Sequence, residues 1–277
     1  MDTVAVRLRH GLWARGGHER VLRLRTPAPA DVAALADDGA SPAAWAMRAV
    51  AAFARPVGAR DARATAADLV LGDQAIALLA VRGLLEEGGA SLTLACASCG
   101  EELEATVDMD SLAAGEPMPD GPWHEAAFPA GHEGRSGDTE EGDGAARIRF
   151  RLPTAGDLAA VVAGGDPSPH TLLSRIVAEP RPQDLTGIER AVADRLEVLD
   201  PLAEIMIQAA CPACGEPVET VLDPVQEARA AVARAADRIE WEVHALASHY
   251  HWSEADILAL PEGRRARYIG LVMREAA

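Results

Sequence analysis

Apolar and charged residues alternate along Leu22-Arg23-Leu24-Arg25 and again along Ile148-Arg149-Phe150-Arg151, the period-two pattern of a strand with one buried face. Each run meets a proline, Pro27 or Pro153, and an aspartate then opens an apolar stretch: Asp31-Val32-Ala33-Ala34-Leu35 in one case, Asp157-Leu158-Ala159-Ala160-Val161 in the other. Such a sequence predicts a strand followed by a helix start. Helical sequence continues over 65–85 in the first run, and over 171–178 and 186–199 in the second, while 36–42 and 53–63 read as connections. Short strand-like runs close each half: Leu92-Thr93-Leu94 with 103–107, then Ile205-Met206-Ile207 with 218–222. Strand, helices, strand, turn, strand thus occurs twice, which predicts an internal duplication. From Pro224 the period changes, and Val225, Ala228, Val232, Ala235, Ile239, Val243, Leu246 and Tyr250 form a stripe at helical spacing. That helix is expected to end within 249–252. Ser253-Glu254-Ala255-Asp256 reads as a capping box for a new helix, Pro261 interrupts it, and a last helix carries Arg264, Arg265, Arg267, Tyr268, Ile269 and Val272.

The expected fold class is therefore α+β, with two duplicated half-domains and a C-terminal helical hairpin. The boundaries are a first repeat over 1–112, a linker over 113–146, a second repeat over 147–223 and a helical region over 224–277. The linker is rich in Gly, Pro and acidic residues, which bury too little apolar area to offset the entropy of ordering, so it is expected to be flexible. Trp123 and Phe128 stand out within it, as a docking element or as cover for a domain edge.

The whole chain has 277 residues, 49% of them hydrophobic and 25% charged, enough for one or two cores without disulfide support. No run approaches a membrane span, and MDTVAVRLRHGLW lacks the apolar core of a secretory signal, so a cytoplasmic location is expected. Asp and Glu number 43 against 26 basic residues, a net charge of -17, and every one of the 26 is arginine. So negative a chain disfavours binding to phosphate backbones.

All four cysteines fall in two CxxCG motifs, Cys96-Ala97-Ser98-Cys99-Gly100 and Cys211-Pro212-Ala213-Cys214-Gly215. A redox CxxC typically sits at a helix N-terminus, where the dipole lowers a thiolate pKa. Here both pairs lie between strand-like runs, the arrangement of a zinc knuckle. One knuckle supplies half of a tetrahedral site, so Cys96, Cys99, Cys211 and Cys214 are the candidate ligands of a single structural zinc in a zinc-ribbon-like site. The second pair follows the first by 115 residues, far beyond the usual ribbon spacing of about 15 to 20. A shared site requires a fold that brings the duplicated halves together, whereas separate metal-free turns would not. His244, His249 and His251 invite a second metal reading, but His244 and His249 are not at the i, i+4 spacing of a helical site.

Resemblance adds what periodicity cannot. The segment Glu242-Val243-His244-Ala245-Leu246-Ala247-Ser248-His249-Tyr250-His251-Trp252-Ser253-Glu254-Ala255-Asp256-Ile257-Leu258-Ala259-Leu260-Pro261, followed by Arg264-Arg265-Ala266-Arg267-Tyr268, resembles the C-terminal signature of the T-even-phage-type baseplate hub proteins and hub assembly chaperones. Leu71-Gly72-Asp73-Gln74-Ala75, with Leu78, Leu79, Val81 and Arg82, is similar to that family's middle section. The first 20 residues and the acidic insertion are not covered. The resemblance implies a non-enzymatic assembly factor or minor component of a contractile injection system baseplate, with baseplate or tail proteins as partners and no catalytic residues. Trp241, Tyr250, Trp252, Arg264, Arg265 and Tyr268 are the expected partner contacts. Two other classes stand beside it: a zinc-ribbon nucleic-acid or transcription accessory protein using the Arg-rich last helix, and a thiol oxidoreductase.

Overall fold

The computed structural model describes residues 3–14, 17–57, 60–86, 91–106, 114, 121–128, 146–178 and 186–275. It mixes helices with short antiparallel sheets. Strands β1 (Thr3–Ala14) and β2 (Gly17–Arg25) pair antiparallel, followed by helices α1 (Pro29–Ala36), α2 (Pro42–Phe53), α3 (Ala62–Asp68) and α4 (Leu71–Leu85). The hairpin β3 (Ser91–Ala95) and β4 (Glu102–Thr106) comes next. Strands β5 (Trp123–Phe128) and β6 (Ala146–Arg151) then form a second hairpin, leading into α5 (Ala155–Ala163), α6 (Pro169–Ile176) and α7 (Thr186–Leu199). A short 3-10 turn at Pro201–Ala203 precedes the hairpin β7 (Ile205–Ala210) and β8 (Pro217–Leu222). Helices α8 (Pro224–Tyr250), α9 (Glu254–Leu258) and α10 (Glu262–Glu275) close the chain.

The alternation read from sequence sets the two strands that carry it. Leu22 and Leu24 of β2, like Ile148 and Phe150 of β6, face the interior. Local contacts around these strands match position by position. Arg25 pairs with Asp31 at 2.6 Å and Arg151 with Asp157 at 2.5 Å, and each aspartate also accepts the amide three residues before it, Ala28 or Thr154. Ser41 and Ser168 cap α2 and α6, each followed by a proline at the first helical turn. The ends of those helices return to the preceding strand: the Arg55 amide donates to Arg23 O (2.8 Å) and the Ala178 amide to Arg149 O (2.9 Å).

Several expectations change. Residues 65–85 do not make one helix, because Leu69–Val70 leaves helical geometry to pair with 153–155: the Leu71 amide donates to Pro153 O and the Ala155 amide to Leu69 O. Residues 42–53, lying between two expected connections, are the helix α2. The first residues form β1, and 123–128, inside the expected linker, form β5. Most of the remaining linker lies outside the described residues.

The largest core gathers β1, β2 and α1–α4 around the fully buried Trp45 and Phe53, and it also takes Leu202, Ile205 and Leu222. Ala228, Ala231, Val232 and Ala235 of α8 belong to it too, their small side chains letting α8 lie close along α4. A second core holds Ala126, Ile148, Phe150, Leu173, Ile176, Val177, Ile188 and Val192. Beyond Ile239, α8 leaves the main core. There the Glu242–Arg265 ion pair (2.8 Å) and the His249–Glu275 contact (3.1 Å) join it to α10. These contacts advance in the same sense along both helices, so α9 carries the chain back and α10 runs forward again, unlike a simple antiparallel hairpin.

Candidate metal centre

Each CxxCG motif is the turn of a two-stranded hairpin. The Cys96 amide donates to Glu101 O (2.8 Å) and the Gly100 amide to Cys96 O (2.8 Å); in the second turn Cys211 donates to Glu216 O (2.9 Å) and Gly215 to Cys211 O (2.9 Å). Gly100 and Gly215 have φ of 77° and 78°, a left-handed backbone that favours glycine, and a Cβ at either would meet no neighbour. The glycines therefore serve backbone geometry, and the space around them stays open.

The fold brings the two turns together across the chain. Cys96 Sγ lies 3.7 Å from Cys214 Sγ, Cys99 Sγ lies 3.6 Å from Cys211 Sγ, and all four sulfurs fall within 4.8 Å of one another. Cys96 and Cys211 are buried beside Leu103 and Val218, while Cys99 and Cys214 face solvent. A disulfide requires about 2.05 Å between sulfurs, whereas a tetrahedral ion bound at about 2.3 Å separates its thiolates by about 3.8 Å. The cluster matches the second geometry and is compatible with a metal site.

Its electrostatics are those of closely crowded thiols. Amides of Cys99 and Ser98 directed at the Cys96 sulfur bring that thiol down to about 7. At Cys99 the Glu101 amide pulls downward, but the neighbouring thiols of Cys214, Cys211 and Cys96 push it up to about 12. Cys214 has the Glu216 amide and Cys99 favouring its thiolate, yet it too is raised, by the neighbouring thiols of Cys211 and Cys96. The cluster by itself accommodates one thiolate readily and resists the next. Four can ionise together only beside a positive ion, as metal binding with proton release provides.

The six expected partner contacts separate into different roles. Tyr250 stacks on Trp252 with centroids 4.8 Å apart, and both meet Tyr268 edge-on, at 5.6 and 5.0 Å. These rings thus fasten the end of α8 to α10. Arg264 lies over the Tyr268 ring. Arg265 is buried, with Nε on Glu242 and Nη1 on Leu260 O, so its guanidinium holds the helices together and is not an exposed contact. Trp241 remains exposed. Among the described residues, His244, His249 and His251 join no metal-ligating cluster.

One buried constellation escaped the sequence reading. Asp73, fully buried at the start of α4, accepts the amides of Arg9 (2.7 Å), His10 (3.2 Å) and Gly11 (2.7 Å) where β1 bulges. Asp200 accepts the Gly72 amide at 2.9 Å and contacts His10 Nε2 at 3.0 Å. The only signal was the Leu71-Gly72-Asp73-Gln74 run itself, since nothing local ties it to position 200.

No protein-family model matches the chain, and no curated protein or solved structure matches it. Among the described residues no helix is long and apolar enough to cross a membrane.

Proposed function

We propose that this chain is a non-enzymatic assembly factor or minor structural component of the baseplate of a phage-tail-like contractile injection system. It acts through protein–protein contacts and carries one structural zinc on Cys96, Cys99, Cys211 and Cys214. The observation that carries the structural-zinc part of this reading is the four-sulfur cluster. Four thiolates fill the positions of a tetrahedral ion, leaving none for a water or substrate, so the ion holds the fold and activates nothing. The ion joins two halves that descend from one duplicated unit. Support for duplication comes from the matched Arg–Asp pairs, Ser–Pro helix starts, strand-to-helix returns and glycine turns. The baseplate assignment rests on the resemblance of 242–261 and its arginine-rich continuation.

Affinity capture of the tagged chain from cells expressing the injection system, with mass spectrometry of immature assemblies and finished particles, tests the reading. Baseplate or tail proteins should co-purify; their absence from both fractions sinks the assignment. Retention on DNA at low salt would favour the nucleic-acid accessory class instead. Protein purified without chelator should hold about one zinc per chain, and two ions or none would contradict the shared site.

A further inference from the structure

We propose that the outer face of the β1–β2 hairpin is a docking surface for an extended acidic peptide segment of a partner protein. This proposal is independent of the baseplate assignment. The hairpin inverts the charge of the molecule around it: Arg7, Arg9, Arg20, Arg23 and Arg25 face a single acid, Glu19, within a chain of net charge -17. Three of these arginines have internal work. Arg20 donates to Leu8 O and Arg9 O across the bulge, Arg25 pairs with Asp31, and Arg9 donates to Ala114 O. Arg7 and Arg23 are exposed, and their guanidinium groups bond to nothing among the described residues.

Register places these two on one face. Ala5 pairs with Arg23 and Arg7 with Val21, so Arg7 and Arg23 are diagonal neighbours with the partly exposed Val21 and Ala5 between them. Like charges so placed destabilise an isolated hairpin, and among the described residues no counter-ion meets them. The two guanidiniums on this face are complementary to a strand that alternates acid and apolar residues, which gathers its acids on one face about every 7 Å. A place for such a strand exists: among the described residues β1 pairs with β2 alone, and no other backbone hydrogen bond reaches its Thr3–Arg7 stretch, where a strand could add. Polyphosphates and anionic membranes are long arrays that meet the repulsion of the whole acidic chain. A short acidic segment meets mainly the hairpin.

Fluorescence anisotropy on the full chain, with a labelled Glu-Val alternating octapeptide as probe, tests the surface. Binding should weaken as salt rises, be absent for the Lys-Val counterpart, and fall about tenfold or more in the double variant Arg7→Glu/Arg23→Glu. Arg7→Gln/Arg23→Gln, which removes charge without reversing it, should show a smaller loss, with circular dichroism and melting confirming a native fold in both. Undiminished binding by the folded Glu variant overturns the proposal, as does failure of the native chain to bind the probe. Equal binding of a dT oligonucleotide or phosphatidylglycerol vesicles overturns it in favour of general polyanion attraction.

Discussion

At the scale of single residues, the β1 bulge satisfies its backbone with opposite charges on its two sides. Asp73 takes three amides, and Arg20 supplies donors to the carbonyls of Leu8 and Arg9. Burial raises the Asp73 carboxyl, with His10 and those amides acting against the shift. A buried carboxylate without such donors would be far costlier. Gly72 makes the neighbouring contact possible: a Cβ there would stand 2.0 Å from Asp200 Oδ1. Gly72→Ala should therefore push Asp200 away from both the Gly72 amide and His10, costing about 2–4 kcal/mol, read as a lowered urea midpoint with unchanged slope. A midpoint within error of the native chain would mean that Asp200 can move freely. None of this was legible in the sequence, because Gly72 and Asp200 are separated by 128 positions and the contact is purely tertiary. The cysteines were legible because spacing and glycine record the turn locally, and only the meeting of the two turns needed the fold.

At the scale of elements, β2 and β6 could be read because one face of each is buried and the alternation is unbroken. β1 could not, since its register shifts between Arg7 and Leu12 and the bulge spoils the period. β5 was hidden in a Gly- and Pro-rich segment, and its pairing with β6 is what makes it a strand. That strand carries His124, buried and, among the described residues, with no hydrogen-bond partner for Nε2. Burial, helped by the nearby charges of His10 and Arg195, depresses its pKa below the ordinary value. Above about pH 6.5 the imidazole is neutral folded or unfolded and adds no pH dependence. As pH falls below that value the unfolded chain takes up the proton first, and stability is lost until the folded pKa is reached. Asp73 works the other way, its penalty relieved by acid, while the depressed Asp157 contributes stability that disappears only below about pH 3.8. Urea midpoints measured at about pH 7 and pH 5 should fall less in His124→Phe than in the native chain. An identical fall in both would show that His124 escapes burial on protonation.

At the scale of the whole molecule, the cysteine cluster joins hairpins whose flanking strands already share a core. Ile205 and Leu222, at the base of β7–β8, lie in the main core with β1, β2 and α4, and Leu94 of β3 packs against it. A metal bound there would therefore tighten an association that apolar burial also supports, unlike small zinc domains that unfold without their ion. Chelation, Cys99→Ser or Cys214→Ser should release the proposed zinc and lower the melting temperature while leaving most helical circular dichroism intact; collapse of that signal would mean that the ion nucleates the whole fold. The C-terminal helices obey different energetics. Past Ile239 their buried residues are Glu242, Leu246, Ile257 and Arg265, and none of these belongs to the main core. The Tyr250, Trp252 and Tyr268 rings also contact one another within this unit. Removing residues 241–277 should therefore preserve any metal bound by the cysteines and the cooperative unfolding of the rest, while Trp241 and the aromatic corner, the proposed contacts with baseplate proteins, are lost. Capture of baseplate proteins by the truncated chain at native yield would move the partner surface elsewhere. Loss of capture together with loss of folding would instead show that α8 needs its full length to hold the main core.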